Sequence, residues 1–138
     1  MGKAYIFNDH LNTADLSTIE AVVKAAGYDP IYGVPADLSS LDPETDVGVV
    51  GLPASAEDVA AINERTKAFA GGGIRVIAIW LRKEEAGGVG VPDSIGKYGV
   101  TVDIGSAELP EVLKGEKDVW EEPGGKPRPK PVTRRNKC

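Results

Sequence analysis

Three consecutive blocks between Asp46 and Trp80 constrain this chain most: DVGVVGLP, then ASAEDVAAINERTKAFAGGG, then IRVIAIW. An apolar run, an amphipathic segment closed by three glycines and a second apolar run form the pattern of a β-α-β unit. Both runs are nearly continuous in apolar residues rather than alternating, as a sheet covered on both faces requires. At about 100° per residue, Val59, Ile62, Phe69 and Ala70 share one face of the intervening helix, and Glu64 lies roughly opposite.

The same alternation extends along the chain. Lys3–Asn8 (KAYIFN) reads as a buried strand, and Thr13–Ala26 as a helix with Leu16, Ile19, Val23 and Ala26 on one stripe. Asn12 or Thr13 can cap it, Gly27 supplies a left-handed stop, and Pro30 prevents continuation. Ile31–Val34 is a short second strand, followed by a loop, Pro35–Thr45, rich in turn residues. Asp46–Leu52 is the third strand. Ser55 with Asp58 opens a helix to about Ala70, and Gly71–Gly73 ends it. Ile74–Leu81 is the fourth strand, Arg82–Lys97 a polar loop, Val100–Ile104 the fifth strand, and Ser106–Lys114 a short helix whose regular part Pro110 confines to its last turns. Strands alternating with helices imply α/β architecture and a parallel sheet. Five short strands in roughly 115 residues imply a single doubly wound, flavodoxin-like sheet of order 2-1-3-4-5. The domain is expected to span residues 1–115, with residues 116–138 a Pro/Gly/Lys/Arg-rich, flexible basic tail.

At 138 residues the chain suits one domain with a substantial core. No apolar run approaches the ~18 residues needed to cross a bilayer. The opening MGKAYIFNDH is too polar for a signal peptide and lacks the Ser/Thr of a myristoylation motif. The expected location is cytoplasmic. Cys138 is the only cysteine, so an internal disulfide or a cysteine-based zinc site is excluded, and no metal is expected. Its place at the end does not fit a prenylation box, though an exposed terminal thiol is a possible handle for modification. The net charge of −5 conceals an asymmetry: Gly124–Cys138 carries six basic residues and no acidic ones. Taking that +6 from −5 leaves −11 on Met1–Pro123. A body this acidic repels a phosphate backbone, so nucleic acid is not an expected partner of the folded part.

In a doubly wound sheet, ligands sit at the carboxyl ends of the strands, beside the switch between the first and third. The residues placed there are Asn8, Asp9, His10, Leu52, Pro53, Ser55, Trp80 and Asp103. An Asp9-His10 pair can act as acid and base or orient a ribose, and His10 is the only histidine available to any dyad. Alternatively, Asn8, Asp9 and Asn12 satisfy backbone groups in a tight strand-to-helix turn. Trp80 closes a buried strand and reads as core, with its indole N–H near the sheet edge. Trp120 is expected to tack the tail onto the body. No known phosphate cradle is present. NDHLNT lacks both G-x-G-x-x-G and the Walker A lysine, and Gly71–Gly73 ends a helix rather than opening one. A receiver-domain reading fails too, because the third strand ends Gly51-Leu52-Pro53 without a phospho-acceptor aspartate.

Three places in the chain carry a family resemblance. AYIF (Ala4–Phe7), followed by a helix ending Ala-Gly-Tyr, resembles the opening of nucleoside 2-deoxyribosyltransferases and TIR domains. Asp46–Leu52 is similar to the strand before their glutamate helix, and Glu64-Arg-Thr-Lys-Ala-Phe-Ala before Ile74–Ile79 looks like that helix and the next strand. The resemblance covers Lys3 to about Gly115. It implies a small nucleotide-directed protein, cleaving (as a hydrolase or transferase) or binding an N-glycosidic bond in NAD or a nucleotide, in salvage or in antiviral, bacterial-defence signalling. Glu64 would then be its catalytic carboxylate, facing the anomeric carbon or ribose hydroxyls as oxocarbenium-like charge develops. Asn8, Asp9, His10, Ser55 and Trp80 would line the nucleotide. NAD or a nucleotide enters as substrate, and no cofactor is implied. From the helical phase alone Glu64 is a solvated side chain, unless the helix starts late or breaks near Asn63. The competing expectation is a non-catalytic binding module that docks a protein partner through Lys126–Cys138.

Overall fold

The computed structural model describes residues 2–7, 12–33, 40–52, 56–81 and 93–115. Its elements are β1 (Lys3–Ile6), α1 (Thr13–Ala25), β2 (Asp29–Tyr32), β3 (Val47–Leu52), α2 (Ala56–Gly71), β4 (Arg75–Trp80), α3 (Asp93–Tyr98), β5 (Gly99–Asp103) and α4 (Leu109–Leu113). The five strands form one sheet in the order β2-β1-β3-β4-β5, with every neighbouring pair parallel. This is the doubly wound, flavodoxin-like α/β arrangement.

Strand alternation divides the core in two. Ala4, Ile6, Val47, Val49, Ile77, Ile79 and Val102 face α1 and α4, where they meet Ile19, Val23, Leu109, Val112 and Leu113. The intervening residues Tyr5, Phe7, Val50, Leu52, Val76, Ala78 and Trp80 meet Ile62 and Phe69 of α2 and Ile95 of α3. Every residue of β3 is buried, the consequence of its central place between two helical layers. Phe69 contacts Tyr5 and Phe7 edge-on, with ring centroids 6.3 and 5.3 Å apart.

The helix ends follow from local chemistry. Asn12 Oδ1 accepts the Asp15 N–H at 2.8 Å, capping α1. Beyond α2, Gly73 adopts φ +78° and the Ile74 N–H returns to the Phe69 carbonyl at 2.8 Å, which satisfies an end carbonyl and turns the chain into β4.

Two expectations need correction. β2 begins two residues before Ile31 and includes Pro30. The Asp29 and Gly33 N–H groups bond Gly2 and Ile6 carbonyls, so alternation turns the Pro30 nitrogen outward. On an edge strand that position needs no N–H, and proline there blunts the edge. Within the expected loop Arg82–Lys97, α3 is a helix. It contains Gly96 and has little propensity of its own; burial of Ile95 and acceptance of the Ser94 N–H by Asn63 Oδ1 of α2 at 2.8 Å hold it in place.

The amino edge of the sheet is stapled by polar groups. The buried Asp46 carboxylate accepts the backbone N–H groups of Lys3 and Asp42, each at 2.9 Å. The Arg75 guanidinium donates to the carbonyls of Val112 and Leu113, and the Tyr28 hydroxyl donates to Leu113 at 2.6 Å. Together with the Gly115 N–H, which reaches the Val112 carbonyl at 3.1 Å, these contacts satisfy the last carbonyls of α4. The chain leaves α4 at Gly115, against Arg75.

Candidate functional site

The helices after β1 and β3 lie on opposite faces, which places the topological switch between those two strands. Backbone bonds carry the ladder up to this carboxyl edge. Phe7 N–H reaches Val49 O at 2.9 Å, Leu81 N–H reaches Leu52 O at 2.8 Å, and Ile104 N–H reaches Trp80 O at 3.0 Å. The chain therefore leaves β1 at Phe7 and β3 at Leu52 as close neighbours, and returns at Asn12 and Ala56 to start the two helices. The expected site residues Asn8, Asp9, His10 and Ser55 fall in the short gaps between these anchors. They lie outside the described residues, as do Pro53 and Trp120.

Of the expected residues, Leu52, Trp80, Asp103 and Glu64 are described. Trp80 is wholly enclosed at the carboxyl end of β4, opposite Leu52 on one side and Asp103 on the other. Its ring belongs to the core beneath α2 and α3, so a contact with a ligand would require that layer to move. Glu64 is exposed on α2, which runs unbroken from Ala56 to Gly71. At 1.5 Å per residue it stands roughly 12 Å along the axis from Ala56, away from the carboxyl edge. The late start or break near Asn63 that would carry Glu64 inward is not found. The helical phase holds: Ile62 and Phe69 are buried, Val59 and Ala70 partly so.

Asp103 is a described carboxylate at the carboxyl end of β5. It is 6% exposed. Its Oδ2 accepts the Gly105 N–H at 2.8 Å, and its carbonyl accepts from Ser106 at 3.0 Å. These bonds shape the turn into α4. Asn63 and Thr66 were not expected to matter, although the helical phase could have found Thr66. It falls between Ile62 and Phe69 on the inner face, and it is fully buried.

A surface cluster joins α1 to the β2 edge. Glu20 pairs with Lys24 at 2.8 Å and accepts a hydrogen bond from the Tyr32 hydroxyl. The Lys24 and Tyr32 bonds hold the Glu20 carboxyl below its ordinary value, and the Glu20 bond raises the Tyr32 phenol. All three side chains sit at the surface, so the cluster orients Tyr32 without enclosing a reaction space.

Among the described residues, no three His, Cys, Asp or Glu side chains converge to hold a metal ion. No helix there is long and apolar enough to cross a membrane. No family model, curated protein or solved structure matches the chain.

Proposed function

We propose that this is a small nucleotide-directed protein that binds NAD or a nucleotide at the carboxyl edge of its sheet, beside the β1–β3 switch. The observation that carries the reading is the strand order, which brings the ends of β1 and β3 together with α1 and α2 diverging from them. Doubly wound sheets receive ligands in that crevice. The polar residues joining these ends include Asn8, Asp9, His10 and Ser55, which supply carboxylate, amide, imidazole and hydroxyl groups suited to ribose hydroxyls.

Cleavage of the N-glycosidic bond is a separate step and depends on Glu64. A carboxylate stabilises oxocarbenium-like charge only when it faces the anomeric carbon. From an exposed position on the outer face of α2, Glu64 does not meet that requirement, so binding is the activity the geometry supports better. Titrating the full chain with NAD and with a nucleoside monophosphate tests the reading. Amide shifts should concentrate at Asn8–Leu11 and Leu52–Ser55; shifts confined to another surface would defeat the placement. Nicotinamide release measured in parallel distinguishes cleavage from binding.

A second reading, a docking module acting through the basic tail, draws on the chain's exit. Gly115 lies against Arg75, the first residue of β4, at the amino edge and opposite the proposed nucleotide crevice. The six cations of Gly124–Cys138 would attract an acidic protein surface. The two readings use different parts of the chain and are compatible in one molecule.

A further inference from the structure

Among the described residues, the Thr66 and Ser94 hydroxyls are buried and have no hydrogen-bond partner. Thr66 is fully enclosed and Ser94 is 1% exposed. A buried hydroxyl without a partner destabilises the fold that holds it, and native structures satisfy nearly all such groups. These two belong to α2 and α3, which pack against each other. Asn63 and Thr66 are three residues apart on α2 and project from one stripe. The bond from Ser94 N–H to Asn63 Oδ1 brings Ser94 to that same stripe. Both hydroxyls are thus buried on two helices that meet in one seam, which the Ser94–Asn63 bond crosses.

We propose that this seam is a binding site for one ordered water molecule, joining Thr66 Oγ1, Ser94 Oγ and the side-chain amide of Asn63. Each hydroxyl can donate or accept, and the amide offers both functions, so a water can satisfy the set without any charge. Three polar partners is the usual number for an internal water. The site also explains how α3 is held. Six residues with a glycine among them cannot sustain a helix alone. Asn63 and the bridging water together tie α3 to α2 over Ile95 and Trp80.

The test is a double-mutant cycle on the full chain, with Thr66→Val, Ser94→Ala and the pair, measured by urea unfolding. Thr66→Val keeps the side chain's shape, and Ser94→Ala deletes one small group, so all three variants should fold. Each single change should lower the folding constant, and the double change should cost far less than both together, a coupling of about fivefold or more. Magnetisation transfer from a long-lived water to the Ser94 amide should be present in the parent and lost in both single variants. Thr66→Val that leaves the folding constant unchanged or raises it would overturn the proposal. So would additive losses, because Thr66 would then bond its own helix and Ser94 would act separately. A parent with no long-lived water at this amide overturns it as well.

Discussion

Replacing Gly48 with alanine tests the seating of α2 on the sheet. Gly48 is the second residue of β3, at the sheet's centre, with the Phe69 ring above it. A Cβ there would lie 2.9 Å from Phe69 Cδ2 and Cε2 and 3.3 Å from Phe7 Cε1. Neither ring has free space, since both are fully buried and pack edge to face at 5.3 Å. Relief requires Phe69 to leave its rotamer or α2 to lift from the sheet. Overpacking of this kind costs about 1–3 kcal/mol. Alanine also restricts the unfolded chain, an opposing gain of about 0.4–1 kcal/mol. The packing term wins, leaving a net loss of about 1–2 kcal/mol. For a fold of about 115 residues that lowers the thermal midpoint by roughly 4–8 °C. Differential scanning calorimetry measures it directly. Adding Phe69→Leu to Gly48→Ala should recover part of the loss, because the leucine yields the space the methyl needs, whereas Phe69→Leu alone destabilises. An unchanged or raised midpoint in Gly48→Ala would mean that Phe69 does not rest on β3, and the assignment of the α2 inner face would fail.

Glu64→Gln should leave the midpoint and nucleotide affinity within error of the parent, because the side chain is exposed. If nicotinamide or base release is observed and persists in this variant, Glu64 is not its carboxylate. Deleting Gly124–Cys138 should barely move the midpoint, since Val132 and Cys138 are the only apolar side chains there besides its prolines and glycines. That is too little to offset ordering costs of ~1–2 kcal/mol per residue. Association with an acidic partner should weaken and lose its salt dependence, while a truncated chain that fails to fold would place the tail within the domain. The Glu20 carboxyl should titrate below its ordinary value, with its contribution present above the unfolded-state pKa and fading as pH falls through the lowered one. Carboxyl-carbon NMR should show Lys24→Ala raising the Glu20 value more than Tyr32→Phe does; the reverse order would make the tyrosine the main partner. Arg75→Met should destabilise the chain by about 1–3 kcal/mol, because the part-buried carbonyls of Val112 and Leu113 lose the guanidinium donor and keep the Gly115 N–H and the Tyr28 hydroxyl. A neutral result in urea unfolding would show that water satisfies them equally well.

The strands were legible because their signal is redundant. VGVVGL and RVIAIW are apolar on both faces, so no alternative register or helical period competes, and burial on both sides follows. Their boundaries shifted where a backbone partner decides. Pro30 reads as a breaker, yet the β1 edge accepts it because only Asp29, Ile31 and Gly33 turn their backbone toward β1. α3 was illegible for a different reason. DSIGKY has one buried aliphatic side chain and a glycine, and its helical state rests on Asn63, thirty-one positions away. No local window contains that contact.

The candidate site divides along the same line. Topology alone directs attention to the turns after β1 and β3, since any 2-1-3-4-5 sheet opens its crevice there. Individual side chains obey packing instead. Trp80 ends an apolar strand, and the α2 and α3 layers close over it because enclosing an indole removes more apolar surface from water than any other side chain there offers. Glu64 is governed by phase: with Ile62 and Phe69 drawn to the sheet, the helix turns position 64 outward, and no glycine or proline interrupts Ala56–Ala70 to release it. A catalytic carboxylate on this helix would have to displace one of the inner residues, and the inner polar position is already held by Thr66. A nucleotide bound at this edge, as proposed, would therefore meet the residues that follow β1 and β3 in the sequence rather than Glu64, which α2 carries on its outer face.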